Sequence, residues 1–153
     1  MPHDQTISEA DYARLLTVRT RLRRFEHWSA EQASEHGLTS SQHQLLLAVR
    51  GHPEPAGPTI GQVAEYLLIK PHSAVELVDR TQRAGLLTRY RDSDDHRVVR
   101  LRLSTDGAHI LAALTSVHID ELGRLAALVE SMIGTLAAGD EVREQSADAR
   151  RTP

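Results

Sequence analysis

Arginine is the residue type with the most chemistry to offer in this chain. Its guanidinium forks onto phosphates and guanine edges and keeps its charge at any physiological pH. Residues 69–102 hold eight basic groups, Lys70, Arg80, Arg83, Arg89, Arg91, Arg97, Arg100 and Arg102, against five acidic ones, Glu76, Asp79, Asp92, Asp94 and Asp95. That segment is +3 inside a chain of net charge −3, so the remainder is −6. A cationic footprint confined to one region is what contact with a phosphate backbone requires, whatever the sign of the whole. Arg97 closes the polar run Asp92-Ser93-Asp94-Asp95-His96-Arg97. Asp95, two residues earlier, is placed to accept from that guanidinium and hold it extended.

Other chemistries are weakly supported. With no cysteine in the chain, a disulfide framework, a thiolate metal site and a thiol nucleophile or redox sensor are all excluded. His27 and Glu31 stand four apart with Glu35 beyond, and His109 and His118 lie further on, but neither set has metal-ligand spacing. Asp92, Asp94 and Asp95 resemble a fragment of a calcium loop whose other positions are missing. No metal and no cofactor are expected. Glycine-rich phosphate loops and a Gly-x-Ser-x-Gly elbow are also absent, so the chain is not read as an enzyme. No apolar run reaches the ~20 residues that cross a bilayer. The start MPHDQTISEADYARLL lacks a basic segment followed by an apolar one, so a cytoplasmic protein with no membrane partner is expected.

The elements that position the arginines follow from periodicity and punctuation. The chain has 153 residues, 40% of them hydrophobic and 3% aromatic, so a core of Leu, Val, Ile and Ala in one domain is expected. Ser8, with Asp11 three residues on, caps a helix to about residue 36, where Leu15, Val18, Leu22, Phe25 and Trp28 recur and Gly37 stops it. Thr39 caps a second helix, and the triple-proline run from Gly51 to Pro58 is a loop. Thr59 opens a short helix to about Leu67, and Pro71 starts another that ends at Gly85. In that last helix Ala74, Leu77, Val78 and Thr81 face inward, leaving His72, Ser73, Val75, Glu76 and Arg80 outside. Leu86–Arg91 and Val98–Leu103 alternate as a hairpin. Ser104 caps a final helix whose seam runs Leu111, Leu114, His118, Leu122, Leu125, Val129, Met132, Leu136 at coiled-coil spacing, His118 its one polar member. The tail from 139 to 153 is polar and expected to be disordered.

Two short helices joined by a tight turn and followed by a basic hairpin form a winged helix-turn-helix. The fold class expected is mainly α with a small β-hairpin wing, the winged domain spanning about 38–103 within a single domain of 1–138. The helices at about 8–36 and 105–137 flank the winged domain. A recognition helix reads the major groove and a hairpin tip the minor groove. The residues expected at double-stranded DNA are Lys70, His72, Ser73, Val75, Glu76, Arg80, Arg89, Arg91, Asp95, Arg97 and Arg100. Arg97 is the minor-groove probe, Lys70 and His72 phosphate contacts, and Arg89, Arg91, Arg100 and Arg102 its flanking phosphate contacts.

Three stretches, LIKPHSAVELVDRTQRAGLL (68–87), RDSDDHRVVRLRLS (91–104) and GLTSSQHQLLLAV (37–49), together resemble the MarR family of bacterial and archaeal transcription regulators. The resemblance covers roughly residues 8–137. It implies a homodimer held by interdigitated terminal dimerisation helices (about 8–36 and 105–137) that binds a pseudo-palindromic operator, and a repressor released by a small, often aromatic or phenolic, ligand. By that analogy Arg24, His27, Trp28, His43 and Gln44 are candidate ligand contacts. The chain departs from the family at three positions. His96 replaces a frequent arginine, and Pro71 and Glu76 stand where basic or small polar residues are usual. Glu76 repels phosphate unless it meets a cytosine amino group. A winged helix used for protein–protein docking, or a regulator with no ligand, is the alternative reading.

Overall fold

The helices of the central region begin at residues able to satisfy their own first N–H groups, and that fixes their phase. In the computed structural model, which describes residues 7–148, the order is α1 (Glu9–Glu35), α2 (Ser40–Gly51), α3 (Ile60–Leu67), α4 (Pro71–Arg83), β1 (Leu87–Arg91), β2 (Val99–Leu103) and α5 (Thr105–Asp148). Thr39 and Thr59 each accept from the backbone of a glutamine three residues on, and Gln42 and Gln62 return the bond, completing two capping boxes. Ser8 and Asp11 form the same reciprocal pair ahead of α1, with Ser8 N–H donating to Asp11 Oδ2 at 2.8 Å. Pro71 occupies the first turn of α4, where no N–H is missed.

The chain divides into two compact units, Trp28–His118 and a second one formed by the segments before and after it. In the central unit, Leu45, Val49, Val63, Leu77, Val78, Leu87 and Leu101 form one buried cluster under the helix-turn-helix and wing. Ala33, Leu38, Leu46, Leu86, Leu111 and Leu114 form another. Each fully buried Leu or Val contributes about 1.5–3 kcal/mol relative to exposure. The strands pair antiparallel in the register Leu87↔Leu103 through Arg91↔Val99. A single bridge, Thr59↔Arg100, docks the loop before α3 on the outer side of β2.

The turn between α3 and α4 is made by a leucine. Leu68 sits at φ 54, ψ 41, a left-handed cap usually filled by glycine, with its side chain 91% exposed. Gly57, at φ +78, lies so close to β2 that a Cβ there would stand 2.2 Å from the Leu101 carbonyl oxygen. In the second unit, Tyr12, Leu15, Leu16, Leu22, Ile119 and Leu122 are exposed. The seam expected along α5 is buried at Leu111, Leu114 and His118, half-buried at Leu125, Val129 and Met132, and exposed at Leu122. Residues 139–148, expected as tail, continue α5. Ala, Glu, Arg and Gln favour the helix there, with no Pro to stop it. Leu136 as a seam side chain and the residues from 149 on lie outside what is described.

Candidate nucleic-acid interface

α4 presents two distinct faces. Ala74, Leu77, Val78 and Thr81 are buried, and Thr81 returns its hydroxyl to the Leu77 carbonyl at 2.8 Å. His72, Val75, Glu76 and Arg80 are exposed, Ser73 half-exposed, and Lys70 stands exposed at the N-cap. The helix phase expected from the inward residues is therefore the one observed. Both acidic residues of α4 lie off the buried face, and they differ in one respect. Asp79 is neutralised by Arg89 at 2.5 Å, whereas Glu76 makes no hydrogen bond or ion pair among the described residues.

The wing is built by carboxylates. Asp92, 8% exposed, accepts from the backbone N–H of Asp94 at 2.9 Å and of Asp95 at 3.1 Å, and its other oxygen takes the Arg100 guanidinium. The Asp94 N–H first, then Arg100, hold its carboxyl below the usual carboxylate range. Beyond this turn, Arg97 projects with its side chain 91% exposed. Asp95 grips it by two parallel bonds, Nε to Oδ1 at 3.0 Å and a terminal nitrogen to Oδ2 at 2.9 Å, and also accepts the Arg97 backbone N–H at 3.0 Å. The bidentate pair lowers the Asp95 pKa and raises that of Arg97. The arrangement holds an arginine extended at a hairpin tip, as the spacing led one to expect.

Two of the arginines expected at phosphate make fold contacts of their own. Arg100, 17% exposed, is fixed by Asp92, by Glu54 at 3.1 Å and by the Gly57 carbonyl at 2.9 Å. Arg89 bonds Asp79 and, at 2.6 Å, Gln82, tying β1 to α4. These bonds position α4 and the wing, and each guanidinium keeps further N–H donors beyond them. Arg91 is exposed and donates to the His96 carbonyl at 2.7 Å. Arg102 lies over the Tyr90 ring, 4.8 Å from its centroid, and the Tyr90 hydroxyl donates to the Ala56 carbonyl. Asp92, Asp79, Glu54 and Tyr90 were missing from the sequence-based set. Of these only Asp92 carried a local signal, since Asp before a polar run is an Asx-turn former.

The candidate ligand contacts do not all gather. Trp28 and His43 both lie against the His118 ring, with centroids at 4.8 and 4.7 Å. His118 Nδ1 donates to the Leu114 carbonyl at 2.7 Å, and its Nε2 is hydrogen-bonded to the Ser29 hydroxyl at 2.8 Å. Burial first, then His118 and His36, hold the His43 imidazole below its ordinary value. Gln44, adjacent to His43 but a third of a helical turn away, lines instead a groove of about 350 Å³ with Leu47, Tyr66 and Leu67. Arg24 and His27 are exposed on the part of α1 in the other unit. Among the described residues no three His, Asp or Glu side chains gather to hold a metal, and no helix is long and apolar enough to cross a membrane.

Residues 36–98 match a family model described as the MarR family. The HTH-type transcriptional repressor MdtR of Bacillus subtilis is 23% identical over 104 residues, which cover 68% of this chain and 63% of the repressor's own length. Among solved structures, a MarR family protein from Bacillus stearothermophilus superposes with a TM-score of 0.66 at 20% identity, covering 93% of this chain and 99% of its own. MepR of S. aureus in complex with DNA gives 0.64 at 18%, covering 93% of this chain and 99% of its own. At such identities the structural likeness fixes the fold.

Proposed function

We propose that this chain is a MarR-family regulator, on the match of residues 36–98 to that family's model, and that it regulates transcription as a homodimer on double-stranded DNA. The observation that carries this reading is the pairing of two probes in one unit. α4 turns Lys70, His72, Ser73, Val75, Glu76 and Arg80 away from the core, and Asp95 holds Arg97 outward at the wing tip. Helix and hairpin answer to the major and minor grooves respectively. Lys70, His72 and Arg91 supply phosphate contacts, which orient the protein without reading sequence.

The second unit supplies the reason for a dimer. Leu15, Leu16, Leu22, Ile119 and Leu122 leave apolar surface in water that a second copy would cover. Two-fold pairing sets the recognition helices about 34–36 Å apart and makes the operator pseudo-palindromic. Repression relieved by a small aromatic ligand is the regulatory mode we favour. A planar ring would stack beside Trp28 and His43, and its preference for one dimer geometry would lower DNA affinity by the difference in its own affinities.

Selection of bound fragments from the source genome with purified protein tests this reading. Enrichment of a pseudo-palindrome, with affinity falling steeply as salt rises, is the expected result. Retention without sequence enrichment would replace it by a docking module that reads protein partners.

A further inference from the structure

Of the outward side chains of α4, Glu76 is the one least suited to a polyanion. It lies on a ridge with His72 one turn before and Arg80 one turn after, yet it pairs with neither. Asp79 shows how the same helix disposes of a carboxylate that only needs neutralising, by giving it Arg89. An ionised carboxylate accepts hydrogen bonds and cannot donate them. In the major groove the donors on offer are the amino groups of cytosine and adenine, while guanine and thymine present acceptors and a methyl group. Adenine sets the N7 acceptor beside its amino group, which would repel one carboxylate oxygen. Cytosine has no acceptor on its exposed edge.

Resting on the DNA-binding reading above, we infer that Glu76 is a specificity-determining residue that requires a cytosine in each half-site, on the strand facing α4. Val75, the neighbouring outward residue and 41% exposed, offers apolar contact that suits a thymine methyl next to that cytosine. The carboxylate then acts mainly by exclusion. On guanine or thymine it stands desolvated with no donor, and on adenine one oxygen faces the N7 acceptor, so the wrong pair is rejected by about 5- to 150-fold. The same group lowers affinity for random DNA, since it faces phosphates wherever no cytosine meets it.

The test is selection from a pool of randomised duplexes with the full chain and with Glu76→Gln and Glu76→Ala, each checked for unchanged circular dichroism. Glutamine offers an acceptor and a donor together and fits the adenine edge. The wild type should enrich a motif with one fixed C·G pair per half-site. Glu76→Gln should keep the rest of the motif and move that pair to A·T. Glu76→Ala should flatten it while binding random duplex more tightly. A wild-type motif that all three proteins share would overturn the role of Glu76 and leave the DNA-binding reading standing. A wild type that enriches no motif would overturn that reading, and the inference with it.

Discussion

Replacing Arg97 by alanine removes a projecting cation without touching what holds the wing together. The turn is built by Asp92 and by the Val98 N–H on the Asp95 carbonyl at 2.9 Å, and the Arg97 side chain is 91% exposed. The melting temperature should therefore move by less than about 2 °C, the reach of an ordinary surface substitution in a domain of this size. DNA binding should change in a specific way. A dimer loses two cations, and each cation engaged with the polyanion contributes about 0.9 to the slope of log affinity against log salt, so the slope should fall by about 1.8. Between about 50 and 200 mM salt, the wild type should then lose about 12-fold more affinity than the variant. Fluorescence anisotropy of a labelled operator duplex over a salt series measures both slopes. Asp95→Asn keeps the cation while loosening its direction, and should leave the slope within about 0.5 of wild type. An unchanged slope in Arg97→Ala, or a melting temperature that drops in step with affinity, would make Arg97 a structural residue and refute the argument.

The remaining predictions concern stability. His43 is held below the ordinary imidazole value of 6.5, so the unfolded chain takes up a proton that the folded one refuses. Stability should be complete above about 6.5 and decline as pH falls below it, with His43→Gln flattening the decline. Thermal melts across that range check this, and identical pH slopes for the two proteins would exonerate the ring. Gly57→Ala should destabilise by about 1–3 kcal/mol or more, because its Cβ would meet the Leu101 carbonyl at 2.2 Å in a backbone at φ +78. Leu68→Gly should stabilise by about 1 kcal/mol, since the left-handed turn is relieved and an exposed side chain loses no packing. Urea unfolding of both variants reads these opposite signs, and a variant that shows the wrong sign would mean that backbone conformation does not govern its site.

Local chemistry was legible and distant partnership was not. Thr39, Thr59 and Pro71 announce helix starts because the groups that satisfy the first N–H bonds lie within three residues, and Asp95 with Arg97 is a pair separated by one residue. Strand alternation likewise put Leu101 inside, and the inward face of α4 followed from its spacing. The fold partners of Arg89 and Arg100 were not legible because alternation says which face a side chain takes and nothing of what awaits it. Asp79 is ten residues from Arg89, and Glu54 is 46 from Arg100. The Ser29–His118 bond spans 89 residues, so a histidine on an apolar seam gave no hint of a hydroxyl partner or of Trp28 and His43 beside it.

Arg89 also determines what kind of operator change the protein would feel most. By bonding Asp79 and Gln82 it clamps the strand entering the wing to the C-terminal part of α4, so helix and hairpin act as a caliper with a fixed gap. One base pair inserted between the stretch under α4 and the stretch under Arg97 would carry the second about 3.4 Å along the duplex and about 35° around it. A caliper cannot reopen to follow. Operators for such a protein would drift in letters far more readily than in length.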